Sequence, residues 1–371
     1  MKLKGYLTHA IWAKILATVL LLVQNYAWGD ECHFGWKGEG GTSTIINTQV
    51  SSPVYFHEVP QGQYPGGGII IGGPYEASLS PALWSKCDAG DDGDQMSNIV
   101  YGASGRGADG KTLWPTNLPG IYYAVRVYSP INSGSWFQNL QNGVWENIPV
   151  HVNHTEDHNW KIQISLVQMS TFLGNPNNIT VITPKEASKI GGMAIGNHTD
   201  SDNLPWWFNV TTNSFRIPVA ASTCQTAMVN NGTNNVDFGE VMFSTVRTGW
   251  YPHQAFNLQL RGCNNVVAIQ YKVSSTKTDG TSKSGTLMLN TLTSNAAAGV
   301  GVSINQTFSA DPSGHGEPFI NDPNYIYVPL PNAGAGASND LPFEAYFERD
   351  QSQELKAGNF KALATFTINY L

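Results

Sequence analysis

Two polar segments carry many of the side chains that could recognise a ligand. Residues 88–94 read Asp-Ala-Gly-Asp-Asp-Gly-Asp, and residues 198–203 read His-Thr-Asp-Ser-Asp-Asn. Carboxylates and amides of this kind bind vicinal sugar hydroxyls, and an aromatic ring can pack against the C–H face of the sugar. The candidates for that ring are Tyr101, Trp114, Trp206 and Trp207. Loops rich in Asp, Gly and Asn are also common solvated turns, and core packing is the commoner role of tryptophan, so both interpretations stay open.

A histidine cluster is the candidate for metal binding. His151, His154 and His158 lie close in sequence beside Glu156 and Asp157, and this composition could hold zinc, although a solvated turn is the favoured interpretation. The aspartates of residues 88–94 do not fit a calcium-binding EF-hand loop, because Ile99 stands where that loop needs its twelfth-position glutamate. No metal or other cofactor is expected.

Catalytic signatures do not occur in the sequence. It contains no Gly-x-Ser-x-Gly, no phosphate-binding loop and no His-Glu-x-x-His, so no catalytic residue is predicted and the chain is not expected to be an enzyme. A secreted glycosidase stays open as an alternative, because paired carboxylates are recognised only by their geometry.

The first 29 residues have the pattern of a secretory signal. Lys2, Lys4 and Lys14 precede an apolar run over 15–23, and Ala-Trp-Gly at 27–29 predicts cleavage before Asp30. The apolar run is too short to span a bilayer comfortably, so the mature chain is expected to be exported and not membrane-spanning. Removing the three lysines changes the formal net charge from −7 to −10, which argues against nucleic acid as a partner.

Cysteine count and chain length predict disulfides and two domains. Cys32, Cys87, Cys224 and Cys263 form an even set in an exported chain, and three pairings are open. The composition changes near Pro218, which separates the first two cysteines from the last two. The simplest pairing is therefore Cys32–Cys87 and Cys224–Cys263, with one disulfide in each domain. The predicted organisation is a signal peptide at 1–29, a receptor-binding domain at 30–217, a linker at 218–222 and a second domain at 223–371.

The pattern of residues is all-β. Short Val/Ile/Thr/Tyr-rich runs, such as 121–128, 161–167 and 266–273, are separated by many glycines and prolines, and no helical period is sustained. The chain ends in a strand pattern whose apolar positions alternate, which leaves the edge of the last sheet in need of a partner. The residues on the apolar side of that pattern are Phe360, Ala362, Ala364, Phe366, Ile368 and Tyr370.

The second domain resembles the pilin domains of chaperone–usher fimbriae. The resemblance covers nearly its whole length, in order: Cys224, Val-Asp-Phe-Gly-Glu-Val at 236–241, Phe-Asn-Leu-Gln-Leu-Arg-Gly-Cys at 256–263, Gly-Val-Gly-Val-Ser-Ile at 299–304, Leu-Pro-Phe-Glu-Ala-Tyr at 341–346, and the final strand with Gly358 and Tyr370. It implies an incomplete immunoglobulin-like sandwich that lacks its last strand. A periplasmic chaperone and then an adjacent pilus subunit would supply that strand, with the outer-membrane usher as assembly partner, and residues 358–370 would flank the acceptor groove.

The first domain resembles the receptor-binding domain of two-domain tip adhesins, such as the type 1 fimbrial tip lectin. Residues 206–218, Trp-Trp-Phe-Asn-Val-Thr-Thr-Asn-Ser-Phe-Arg-Ile-Pro, are similar to the last lectin strand and linker, and Cys32–Cys87 matches the lectin bridge in placement. The mature chain reaches Cys32 after two residues, without the donor extension of ordinary pilins, so a place at the fibre tip is expected. A non-adhesive structural subunit is an alternative.

The resemblance also implies a place for the ligand. The first domain is expected to be a jelly-roll-like β-sandwich whose sugar pocket lies at the end far from the linker, although the side chains do not match a mannose-binding set. A host glycan or glycoprotein is the expected receptor. By position the implied ligand residues are Asp88, Asp91, Asp92, Asp94, His198, Asp200, Asp202 and Asn203.

Overall fold

The computed structural model describes residues 32–46, 48–57, 67–88, 93–107, 109–138, 141–153, 155–200, 203–278, 287–308 and 320–371. Strands dominate the part before residue 219, together with a 3-10 turn at Trp36–Gly38. The strands are β1 His33–Phe34, β2 Gly41–Ile46, β3 Thr48–Gln49, β4 Ile69–Ser80, β5 Ser85–Lys86, β6 Asp94–Val100, β7 Gly105–Arg106, β8 Thr112–Pro115, β9 Ile121–Ser129, β10 Ser133–Trp136, β11 Glu146–Val152, β12 Glu156–Asp157, β13 Lys161–Gln168, β14 Val181–Ile182, β15 Ser188–Ile195, β16 Trp206–Val210 and β17 Phe215–Pro218.

The part after residue 219 is also built of strands, with a 3-10 turn at Asn230–Gly232 and a short helix, α1, at Phe243–Arg247. Its strands are β18 Thr226–Val229, β19 His253–Cys263, β20 Ala268–Ser274, β21 Met288–Leu289, β22 Val300–Gln306, β23 Ile326–Pro329, β24 Ala337–Arg349 and β25 Thr365–Tyr370. The prediction of an all-β fold is confirmed.

One long sheet encloses the first hydrophobic core. Its strand order is β11-β6-β15-β16-β2-β4-β13-β9-β8-β7, and smaller sheets β1-β5-β12 and β14-β17-β3 accompany it. Strand β9 shows why it forms: Ile121, Tyr123, Val125 and Val127 alternate into the core, as β-branched and aromatic residues do on a half-buried strand. The curled sheet therefore buries an aromatic core that includes Trp114, Phe137, Phe208 and Phe215.

Two sheets enclose the second core. Their orders are β18-β19-β24-β22-β21 and β23-β20-β25, and β19 pairs with β24 from His253↔Tyr346 to Cys263↔Ala337. Phe256, Tyr271 and Phe343 are buried between them with ring centroids 5.4–5.6 Å apart. These are core positions rather than a reactive site, as the alternating sequence predicts.

Both predicted disulfides are confirmed. Cys32 is bonded to Cys87 and Cys224 to Cys263, so each bridge lies within one of the two parts. The bridges close loops of 55 and 39 residues, and chain-entropy reasoning gives each about 4 kcal/mol. The domain limits themselves stay a prediction.

The predicted linker is held tightly between the two parts. Val219 and Ala220 are 9 % exposed, and the Ala220 N–H donates to the Val54 carbonyl at 3.0 Å. Asn265, fully buried at φ 57°, donates from Nδ2 to the Ala220 carbonyl at 2.5 Å and accepts from the Phe56 N–H at 2.6 Å. One side chain of the second part thus satisfies one backbone group of the first part and one of the linker.

Among the described residues, no helix is both long and apolar enough to cross a membrane.

We expect Asn265→Ala to lower the free energy of unfolding by about 3 kcal/mol, because it leaves two buried backbone groups unpaired. Asn265→Gly removes the same hydrogen bonds, but glycine adopts the left-handed backbone without strain. The glycine variant should therefore be about 1–2 kcal/mol more stable than Asn265→Ala. Calorimetric unfolding of the full chain measures both, with the exposed Asn177→Ala as the control. Equal midpoints for Asn265→Ala and Asn177→Ala would contradict this role.

Candidate binding sites

An open groove of about 1470 Å³ lies along the second part of the chain. It runs between β18, an edge strand of one sheet, and β25, an edge strand of the other. Its lining includes the core side chains Leu258, Val302 and Phe347. Two sheet edges therefore face a trough whose floor is formed by buried core side chains.

Large apolar side chains are exposed at this groove. Met242, Phe243 and Leu363 line it and are 71 %, 45 % and 55 % exposed. The rows of backbone groups on sheet edges pair readily with an added strand. Contiguous apolar exposure beside such edges is typical of an interaction site. The chemistry that fits is an extended peptide with alternating apolar residues.

The predicted C-terminal residues flank the groove. Phe360 packs on Phe347 with centroids 4.9 Å apart, and Phe366 packs on Phe343 at 5.4 Å. Ala362, Ile368 and Tyr370 are partly buried against the same core, whereas Ala364 is exposed. Gly358 is required by close packing, because a Cβ there would lie 2.6 Å from the Asn295 carbonyl oxygen and the Ala296 carbonyl carbon.

Regular strand pairing begins only at Thr365, later than the alternating pattern predicts. Over 359–361 a few backbone bonds to residues 291–297 are supplemented by the side chain of Asn290. Its Nδ2 donates to the Asn359 carbonyl at 2.7 Å, and its Oδ1 accepts from the Lys361 N–H at 3.1 Å. Such side-chain bonding to a distant backbone leaves no periodic signal in the sequence.

A second site region lies at the end of the first part farthest from the linker. Strand β16 runs parallel to β2, with Trp206 opposite Gly41, and β17 then runs parallel to β3 towards Pro218. The starts of β2 and β16 therefore mark the end opposite the linker, here called the far end. Residues 35–40 and 203–205, which lead into these strands, lie there.

Asp94 and Asn203 are structural at the far end. The Cys32 N–H donates to Asp94 Oδ2 at 2.8 Å, and Asn203 Nδ2 donates to the carbonyls of Cys32 and Ile195 at 3.3 and 2.5 Å. Asn203 is 2 % exposed. These two predicted ligand residues thus lie together, and both fix the position of Cys32.

The other described ligand candidates lie nearer the surface. Asp88 is exposed and pairs with Lys86 Nζ at 3.7 Å, and Asp200 accepts from Asn197 Nδ2 at 2.9 Å. His198 stacks on Trp145 with centroids 4.3 Å apart, and burial lowers its pKa below the ordinary value. Asp91, Asp92 and Asp202 lie outside the described residues.

The histidine cluster is only partly described. His158 Nε2 pairs with Glu156 Oε1 at 2.7 Å, and His151 Nδ1 lies 3.3 Å from the Gly93 carbonyl oxygen. His154 lies outside the described residues, so the three-histidine zinc hypothesis is untested. Within the described ranges, no three His, Cys, Asp or Glu side chains are grouped to hold a metal ion.

The four aromatic residues proposed from the sequence divide into two pairs. Trp114 and Trp206 are buried in the core at 1 % and 7 % exposed. Tyr101 and Trp207 are partly exposed on the sheet surface, and Lys189 Nζ lies 4.3 Å from the Trp207 ring centroid. Trp145 extends this surface group towards His198.

A more exposed aromatic group at the far end was missed by sequence reasoning. Trp36, Trp84 and His158, here called the aromatic stack, come from three separate segments joined through the β1-β5-β12 sheet. The available signal was Gly-Trp-Lys-Gly-Glu-Gly-Gly at 35–41, a glycine-rich turn around one tryptophan.

Asp157 supports this stack from below. It lies between Glu156 and His158, is 1 % exposed, and accepts hydrogen bonds from Ser129 Oγ, Asn132 Nδ2 and the Asn159 N–H. Burial acts to raise the pKa of this carboxyl, but the three hydrogen bonds outweigh it, so its pKa is lowered.

Comparison with known proteins identifies the second part. The sequence model of the family described as "Fimbrial protein" matches residues 212–371. This part of the chain is therefore a fimbrial protein domain, and the resemblance to fimbrial pilin domains is confirmed. No curated protein gives a significant sequence match.

Several solved fimbrial structures are similar to this chain at low sequence identity and low TM-score. The CupB6 tip adhesin from Pseudomonas aeruginosa is 15 % identical with a TM-score of 0.46, over 92 % of this chain and 94 % of that one. The receptor-binding domain of the Klebsiella pneumoniae adhesin MrkD1P is 10 % identical with a TM-score of 0.24, over 53 % and 99 %. The P pilus rod subunit PapA is 13 % identical with a TM-score of 0.30, over 39 % and 98 %.

The depressed pKa of Asp157 predicts an acid-dependent contribution to stability. The folded state binds the proton more weakly than the unfolded state, so the contribution is complete above the ordinary pKa of 3.8 and is lost as pH falls through the lower folded value. Asp157→Asn should lower the free energy of unfolding by about 1–3 kcal/mol at neutral pH and by less in acid. Urea unfolding between about pH 5 and pH 2 measures this, with the exposed Asp88→Asn as the control. A difference between wild type and Asp157→Asn that does not shrink in acid would contradict the assignment.

Proposed function

We propose that this protein is the tip adhesin of a chaperone–usher fimbria, exported through the periplasm to the bacterial surface. The observation that carries the proposal is the open groove between β18 and β25, with core side chains along its floor, in a region that matches the fimbrial protein family. The first hydrophobic core lies mainly in the part before this domain and is not needed for strand acceptance. An additional domain of this kind is what a receptor-binding subunit requires.

The groove is proposed to accept a donated strand. An inserted strand would pair its backbone with the edges of β18 or β25 and place alternate side chains on Leu258, Val302 and Phe347. In the periplasm the donor would be a chaperone, and after passage through the usher it would be the adjacent pilus subunit. Donation would bury the exposed Met242, Phe243 and Leu363.

The receptor is proposed to be a host glycan bound at the far end of the first part. Support comes from Asp94 and Asn203, which end the polar segments 88–94 and 198–203 and bond to Cys32 there, and from the aromatic stacking of His198 on Trp145. This mixture of polar and aromatic side chains suits a sugar.

A structural pilus subunit is the second candidate, because the groove alone would serve it equally well. The exposed aromatic side chains of the first part favour the adhesin, since a purely structural subunit has no use for them. A glycosidase would need paired carboxylates at about 5–9.5 Å separation around a pocket. Release of reducing sugar by the purified chain would support that alternative.

A peptide experiment tests strand acceptance. We expect a ten-residue peptide with alternating apolar residues to bind the full chain and raise its thermal midpoint, with about 2.7 kcal/mol of stabilisation at 100 times Kd. The control peptide has the same composition with its apolar residues grouped, because a strand presents only alternate positions to one face. Only the peptide with alternating apolar residues should make residues 223–371 more resistant to protease. If neither peptide acts, or if both act equally, the groove does not accept a strand.

A further inference from the structure

Trp36 is presented to solvent at the far end. It is 58 % exposed, whereas Trp114 and Trp206 of the same part are buried. An exposed tryptophan leaves a large apolar area in water, and such residues are enriched where a partner binds.

The turn that carries Trp36 is firmly held. The Gly35 N–H donates to the Trp84 carbonyl at 2.9 Å, and the Leu204 N–H donates to the Gly38 carbonyl at 2.7 Å. The Gly38 N–H donates to His33 Nδ1 at 3.1 Å. The exposure of Trp36 is therefore a fixed feature of the fold and not the result of a loose loop.

The backbone of this turn is also costly. Lys37 has φ 61°, a left-handed conformation that a side chain disfavours by about 1–2 kcal/mol. Gly35 has φ 76°, and a Cβ there would lie 2.8 Å from the Trp206 ring. Strain of this kind persists where the surrounding structure enforces it, and it concentrates at ligand sites.

Trp36 belongs to a continuous stack. Its ring centroid lies 5.4 Å from that of Trp84 at an interplanar angle of 40°, and the Trp84 ring lies 5.2 Å from the His158 ring at an interplanar angle of 12°. Trp36 thus contacts Trp84 while 58 % of its surface stays in solvent. This arrangement fits a ring that packs against a flat partner.

Polar groups surround the stack. Lys86 Nζ lies 5.8 Å from the Trp36 ring centroid and 3.7 Å from Asp88 Oδ1, and Glu156 pairs with His158. All four polar side chains are 40–61 % exposed, and exposed ion pairs are weak. Their donors and acceptors are therefore available to hydroxyl groups at little cost.

We propose that the aromatic stack is the carbohydrate-binding platform of this protein, with Trp36 packed against the C–H face of a neutral hexose or hexosamine. The assignment deepens the proposed adhesin function and rests on it. Lys86 donates to sugar hydroxyls, and Asp88 and Glu156 accept from them. The mixed charge of Lys37, Lys86, Asp88 and Glu156 favours a neutral sugar over a sialylated one, because no surplus of cations is present.

A glycan array probed with the full chain tests the platform. The array carries neutral and sialylated oligosaccharides, and bound neutral glycans are then titrated against variants. Trp36→Ala should weaken binding about tenfold or more without changing the thermal midpoint, as expected for a central aromatic contact. Trp36→Phe should recover part of the affinity. Trp250→Ala is the matched control, because Trp250 is 62 % exposed in the fimbrial protein domain.

The outcomes separate the platform from the adhesin proposal. Normal glycan binding by Trp36→Ala, with loss in an Asp200→Ala or His198→Ala variant, would overturn the platform and leave the adhesin function intact. Binding of sialylated glycans alone would overturn the neutral-sugar assignment. No binding to any glycan, or binding to a protein ligand only, would overturn both the platform and the glycan receptor.

Discussion

The fimbrial protein domain depends most on the two sheet edges at β18 and β25, which face an open groove. In the fimbrial protein domain, two sheets enclose a core, yet β18 and β25 leave edges along an open trough whose floor is formed by core side chains. Such edges can pair with another extended chain, which is the strand acceptance proposed for this groove. This explains why Phe360, Phe366 and Ile368 face the core while the opposite side of the groove stays open. It also explains why large apolar residues remain exposed at the rim.

The two cores meet at the end of the strand that flanks the groove. Leu371 follows β25 directly, is 2 % exposed and belongs to the first core. Its N–H donates to the Ala268 carbonyl, and its carbonyl accepts from the Val267 N–H, both at 2.9 Å. Gly174 of the first part lies so close that a Cβ there would be 2.4 Å from Leu371 Cβ. Together with Asn265, this contact gives the junction the packing of a protein interior.

The sequence predicted the fold where periodicity carried the information. The alternation over 360–370 gave the final strand and its inward face, and the even cysteine count with the break near Pro218 gave both disulfides. Periodicity could not show that the Asn290 side chain bonds to the backbone of 359 and 361, because that contact joins residues about seventy positions apart. Nor could it show that Val219 and Ala220, read as a linker, are buried by the two parts they join.

The sequence indicated a candidate binding region from its polar loops, which stays a prediction, and it did not indicate the aromatic stack. Trp36, Trp84 and His158 come together only through the pairing of β1, β5 and β12, which are two residues long and give no strand signal. Trp206 looked equally available in the sequence, yet it is covered by the glycine-rich turn and donates from Nε1 to Ser43 Oγ at 2.9 Å.

The position of this chain in an assembled fibre tests the account most directly. Fimbriae from the bacterium that produces it would be labelled with an antibody against the first part and imaged by electron microscopy. A strand-accepting subunit with an additional receptor-binding domain is predicted to appear once, at one end of each fibre. Label distributed along the shaft would show a structural subunit and contradict the account.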